Sequence, residues 1–145
     1  MDSSNRRLMW HGMFLFLLGL FTGFAEHSFA NVRMGLAAHL EGVMNGTLLL
    51  ALGAVWAHVT LPSSVKTATY WITLYATYAN WLITTLAAIF GTGALSPITA
   101  PGHHGQPWQE SFVTIGFMSV GVAYVLSSLL ILWGLRTRAA IAAKG

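Results

Sequence analysis

An all-α, integral membrane four-helix bundle is the fold class this sequence predicts, and three observations predict it. Of 145 residues, 55% are hydrophobic and only 8% are charged, whereas charged residues make up roughly a quarter of a soluble domain. Mean hydropathy is +0.64. Four apolar stretches, at about 8–25, 35–61, 68–90 and 111–135, each reach the length of about 20 residues that a helix needs to cross a bilayer. Together they nearly exhaust the chain, so residues 1–145 read as a single transmembrane domain. No cysteine is present, which excludes disulfides, thiolate metal sites and cysteine nucleophiles. The basic residues are scattered at segment ends, the pattern of topological signals rather than of a nucleic-acid surface.

The first span follows the polar start MDSSNRR, whose Arg6 and Arg7 anchor it; Gly19 and Gly23 form a G-x-x-x-G, a common helix-packing signal. A polar connection over Glu26–Arg33 leads to the second span, which Pro62 should end. This span carries the chemistry. Gly35, His39, Gly42, Gly46 and Gly53 share one helical stripe, while Glu41 and Asn45 form an i,i+4 pair on roughly the opposite side. Glycines alone indicate close helix packing. With an imidazole in their midst, they also suit a haem lying flat on a glycine floor with His39 on its iron; the plain alternative for His39 is a hydrogen bond to a neighbouring helix. Ionisable groups at such depth face a bundle interior, a cavity or a cofactor. Trp56 and His58 read as an interfacial belt and Ser63–Thr67 as a tight loop carrying Lys66.

The third span is polar for a lipid environment. Tyr70, Thr77, Trp81 and Thr84 share one side, and Asn80 pairs with Thr84 at i,i+4. A rise of about 1.5 Å per residue puts Asn80 and Thr84 level with Asn45 and Glu41, so a polar pocket in one half of the bundle is expected. Residues 91–109 form the longest connection, rich in Gly and Pro, with adjacent His103 and His104 that lack metal-ligand spacing. Glu110 then suits a helix N-terminus, and the fourth span carries Gly116, Ser119, Gly121 and Tyr124 before its basic end. Four spans collect Arg6, Arg7, Lys66, Arg136, Arg138 and Lys144 on one side and leave Arg33 opposite, which predicts that both termini are cytoplasmic. No Walker loop, dinucleotide fingerprint, zinc-protease motif or serine elbow is present.

The run NVRMGLAAHLEGVMNGTLLLALG, after WHGMFLFLLGLFTGFAE, resembles the small membrane-bound hydroxylaminobenzene mutases and, more distantly, the styrene oxide isomerases. The closer resemblance covers nearly the whole chain. The distant one rests on an AH-x-x-G-x-x-x-G core with NG at its end, on the HG of the first span and on the asparagine of the third. It implies an intramolecular isomerase of a bacterial-type inner membrane, in which a homotrimer binds haem b between protomers and ferric iron acts as a Lewis acid. By that resemblance His39 is the axial ligand, Gly35, Gly42 and Gly46 line the cofactor, and Asn45 meets the substrate. The chain departs from the styrene oxide isomerases at Ala76 and Thr84, where they place an aspartate and a tyrosine. This weakens epoxide opening as the reaction and makes Glu41 a candidate replacement for the acid.

The mutase reaction would turn an aromatic hydroxylamine into an ortho-aminophenol, with Asn45, Asn80 and Thr84 orienting the substrate, Glu41 handling a proton, and Tyr78 and Trp81 either stacking on the arene or serving ordinary helix packing. The expected partners are that substrate and membrane lipid, with no nucleic acid. An epoxide isomerase, a haem-binding electron-transfer subunit and a non-catalytic transporter or scaffold are the alternatives; bis-histidine ligation would mark the second, pairing His39 with His11, His58 or a loop histidine, of which His11 and His58 lie too far in depth.

Overall fold

A computed structural model describes residues 3–142, with side chains as far as Arg136. Of the predicted basic end, Lys144 and the side chain of Arg138 lie outside the described residues. The chain folds into four helices, α1 (Ser3–Ala25), α2 (Val32–Val55), α3 (Ser63–Phe90) and α4 (Pro107–Ala142), with one-turn 3-10 segments at Glu26–Ser28 and Trp56–His58. All four are long and apolar enough to span a membrane. The central pair is α2 and α3. α1 packs on α2 and α4 on α3, while among the described residues α1 and α4 do not pack against each other.

Local chemistry fixes the ends. Asn31 caps α2 by accepting the Met34 N–H at 3.1 Å. Its own N–H donates to the Ala88 carbonyl at 3.0 Å and its side-chain amide to the Thr99 carbonyl at 3.1 Å. One buried asparagine thus ties the start of α2 to the end of α3 and to the long loop. α3 stops where Gly91 turns left-handed at φ 65°, a conformation that costs glycine little. Glu110, in the first turn of α4, accepts the N–H groups of Gly93 at 2.9 Å and Gly105 at 2.7 Å, clasping both ends of the loop.

Several expected boundaries move. α1 begins at Ser3 rather than about residue 8, and α4 at Pro107 rather than 111, because polar residues continue a helix beyond its apolar part. α2 stops at Val55, short of the expected 61. The predicted loop at Ser63–Thr67 is instead the first turn of α3, preceded by Pro62, which has no N–H to lose there. Trp56 is no belt residue: after Val55 the chain tightens into the 3-10 turn and carries its ring into the core, 1% exposed, against Tyr70 and beneath the Lys66 ammonium at 5.9 Å.

The glycine stripe of α2 is the contact with α1. A Cβ on Gly46 would lie 2.7 Å from the Gly12 carbonyl oxygen, and one on Gly19 would lie 2.6 Å from the Val43 nitrogen, so neither backbone could approach with any larger residue. Gly42 meets Gly19 directly, and Gly35 packs on Phe29 and Glu26. This corrects the reading of Gly35, Gly42 and Gly46 as a cofactor floor, since α1 and its following turn occupy the space a flat ring would need.

Candidate active site

Glu41 and Asn45 stand one turn apart on the face of α2 turned toward α3. The Asn45 amide donates to Glu41 Oε2 at 3.2 Å, and the Asn80 amide, from α3, donates to the same oxygen. Asn45 also approaches the Thr77 carbonyl at 3.5 Å, and its Oδ1 accepts the hydroxyl hydrogen of Tyr124 from α4. Three helices therefore converge on one polar cluster. No cation pairs with Glu41 among the described residues, and the hydrogen bonds it accepts there come from the two amides. Both amides converge on Oε2, which leaves Oε1 as the oxygen with lone pairs free for a ligand.

Three of the six expected residues, Glu41, Asn45 and Asn80, come together, with Asn80 facing Glu41 at the depth expected. The other three give their polar atoms to other partners. Thr84 returns its hydroxyl to the Asn80 carbonyl at 2.8 Å. Tyr78 donates to the His11 carbonyl at 3.3 Å, with its oxygen 3.0 Å from His11 Nδ1, and Trp81 donates to Thr22 Oγ1 at 2.9 Å. Tyr78 and Trp81 thus hold α3 to α1, which corrects their assignment as an arene platform beside the carboxylate. Sequence reasoning passed over Tyr124. Its signal was a single tyrosine amid an apolar fourth span, uninterpretable until the packing of α4 set its depth.

His39 lies on the α1 side, away from Glu41. Its Nδ1 is 2.8 Å from the Gly19 carbonyl oxygen, which can only accept, so Nδ1 carries a hydrogen and Nε2 is the nitrogen left for any ligand. The plain reading of this residue is observed, a bond to a neighbouring helix; a carbonyl partner on one ring nitrogen is also how metal-bound imidazoles are oriented. The donor set fits a cofactor that takes one protein nitrogen from this chain. It does not fit a bare ion, since no group of three or more His, Asp or Glu residues converges among the described residues.

Two clefts adjoin α4. One of about 250 Å³ lies between α2, α3 and α4, is lined by Leu48, Leu52, Thr73, Tyr124, Ser127 and Leu132 among others, and touches the polar cluster through Tyr124. The other, about 730 Å³, is an outer groove between α3 and α4 beside the Tyr75–Ser119 hydrogen bond of 2.7 Å, and none of Glu41, Asn45, Asn80 or Tyr124 lines it.

Comparison with known proteins gives a consistent result. The styrene oxide isomerase family model matches residues 4–136. The chain is 45% identical over 133 residues to hydroxylaminobenzene mutase HabB of Ectopseudomonas oleovorans, covering 91% of this chain and 81% of that one. It is 43% identical over 125 residues to hydroxylaminobenzene mutase HabA of the same organism, covering 86% and 93% respectively. No solved structure matches it.

Proposed function

The chain belongs to the styrene oxide isomerase family and is an isomerase of the mutase kind, and from that premise we propose that it converts hydroxylaminobenzene to 2-aminophenol at the cluster of Glu41, Asn45, Asn80 and Tyr124. The observation that carries this reading is the Glu41 carboxyl group itself, set within an apolar span and supplied with amide donors but no counter-charge. Such a group is costly to keep in a membrane unless it works.

In the reaction the N–O bond breaks, a C–O bond forms at the ortho carbon, that carbon loses a proton and nitrogen gains one. Atoms and electrons balance within one molecule, so no reductant or oxidant enters. Asn45 and Asn80 hold Oε2 and so aim Oε1, which takes the proton released by the ortho carbon. The amide of Asn45 orients the Tyr124 hydroxyl toward the same centre. Apolar walls on α2 and α4 keep water from capturing the electron-poor ring. His39 would hold haem b through Nε2, and the ferric iron would supply Lewis acidity; since His39 faces α1 and not Glu41, in the assembled trimer that iron would serve the cluster of an adjoining protomer. In the membrane we place both termini and Lys66 on the cytoplasmic side of the inner membrane, since the basic residues gather there. The same reading takes a homotrimer as the assembled form, checked by the mass of the detergent-solubilised particle.

The test is the visible absorption spectrum of the purified protein beside His39→Ala, followed by phenylhydroxylamine without reductant. The expected result is a Soret band lost in the variant and 2-aminophenol formed by the wild type. A colourless wild type that still makes 2-aminophenol would remove the haem and keep the isomerase; a coloured protein that makes none would favour an electron carrier.

A further inference from the structure

The 250 Å³ cleft between α2, α3 and α4 has the size and the single polar feature of a selective site for one aromatic ring. An apolar cavity of about 150 Å³ suffices to hold benzene, and drug-sized ligands take about 300 Å³ or more. Its walls are leucine and isoleucine side chains with a few hydroxyls. Of those hydroxyls, Thr73 is spent on the Thr69 carbonyl at 2.8 Å and Ser127 on the Tyr124 carbonyl at 3.1 Å, while Ser128 lies exposed. Tyr124 differs. Its hydrogen goes to Asn45 Oδ1 and its oxygen also meets the Asn80 amide, so the hydroxyl group is held in one orientation and only the lone pairs not taken by Asn80 are left as acceptors where Tyr124 lines the cleft. Leu48, 39% exposed, and Leu132, 65% exposed, form the outer rim, so the cleft opens sideways toward the lipid phase.

We propose that this cleft binds the arene of the substrate and that Tyr124, fixed by Asn45, selects rings bearing a hydrogen-bond donor on their substituent. A hydroxylamine or amine has an N–H or O–H to give to the phenolic oxygen; a nitro group has none and would set its oxygens against those lone pairs. The site thereby distinguishes a reduced nitroarene from its parent, two molecules of nearly the same shape and apolarity. Selection of this kind is stronger than a hydrophobic pocket can achieve, because a mismatched ligand leaves a buried polar atom unpaired. The inference names the substrate subsite of the reaction proposed above, but its test reads binding alone.

Aniline serves as the unreactive donor-bearing probe and nitrobenzene as the donor-free one. Equilibrium dialysis of each against nanodisc-embedded protein, corrected with empty nanodiscs of the same lipid, gives the two affinities. Wild type should bind aniline about tenfold more tightly than nitrobenzene, the size of effect one hydrogen bond supports, and Tyr124→Phe should erase that preference. Leu52→Trp, or the milder Leu48→Phe if the first fails to fold, should weaken both probes, whereas Met118→Trp in the outer groove should weaken neither. Equal wild-type affinities, or a preference that survives Tyr124→Phe, overturns the role of Tyr124. Unchanged binding in Leu52→Trp and Leu48→Phe overturns the cleft. Binding as expected in a protein that does not form 2-aminophenol leaves the cleft standing and removes the reaction.

Discussion

Asn80 in α3 donates its amide hydrogen to Oε2 of Glu41 in α2, joining residues 39 positions apart in the chain. That bond sets the depth of one helix against the other and fixes which carboxylate oxygen is left for chemistry. Removing a partner from a buried hydrogen-bonded group costs more than the bond was worth, because the remaining polar atom stays out of water. Asn80→Leu should therefore lower stability by about 1–3 kcal/mol and reduce turnover at least tenfold, since Oε1 loses its aim. Denaturation in mixed micelles and product formation, measured on the same preparation, check both parts.

The contact of α1 with α2 depends on the absence of side chains. Gly42→Leu or Gly19→Val should force the helices apart and cost several kcal/mol, the cost of overpacking where backbone rather than a flexible side chain is the obstacle. Gly121→Ala, with nothing within 4 Å of the added carbon, should be neutral or slightly stabilising through helix propensity. Thermal unfolding midpoints of the three variants distinguish a specific seam from a general dislike of bulk.

Tyr78 and Trp81 hold α3 to α1. Tyr78→Phe should lower stability by about 1 kcal/mol while turnover stays within about threefold of wild type at saturating substrate. A large loss of turnover in a protein of wild-type stability would restore Tyr78 to the substrate site.

Glu110 holds the long loop through the N–H groups of Gly93 and Gly105. Glu110→Gln keeps an acceptor but loses the charge that strengthens both bonds. Limited proteolysis with a broad-specificity protease should cut within 92–106 several-fold faster in the variant, with the helical core intact.

Much of this could be read from the sequence. Apolar length gave four helices, and the i,i+4 pair of Glu41 and Asn45, with helical rise, located Asn80 opposite them. These succeeded because periodicity and depth are properties of single helices. What failed depended on which helix lay beside which. The glycine stripe predicted a close partner, and only the packing of α1 showed that the partner is another backbone. Tyr78 and Trp81 had the right composition for an arene platform, yet their polar ends are committed to His11 and Thr22. Tyr124 gave no periodic signal of its own and became meaningful only when α4 brought it to Asn45. The helix ends moved for a simpler reason: a polar Ser63, or a Pro107 that has no N–H to lose in a first turn, can begin a helix that hydropathy starts counting later.

Replacing one oxygen of the central carboxylate tests the account most directly. Purified wild type and Glu41→Gln, matched for folding by circular dichroism and for any bound chromophore by absorption, are given phenylhydroxylamine without reductant, and 2-aminophenol is quantified. The amide keeps the shape of the side chain and an oxygen for the Asn45 and Asn80 donors but cannot take a proton, so turnover should fall by about 10²–10⁴, the usual contribution of a general base. Turnover equal to wild type in a folded variant would contradict the assignment of Glu41 as the proton-handling group.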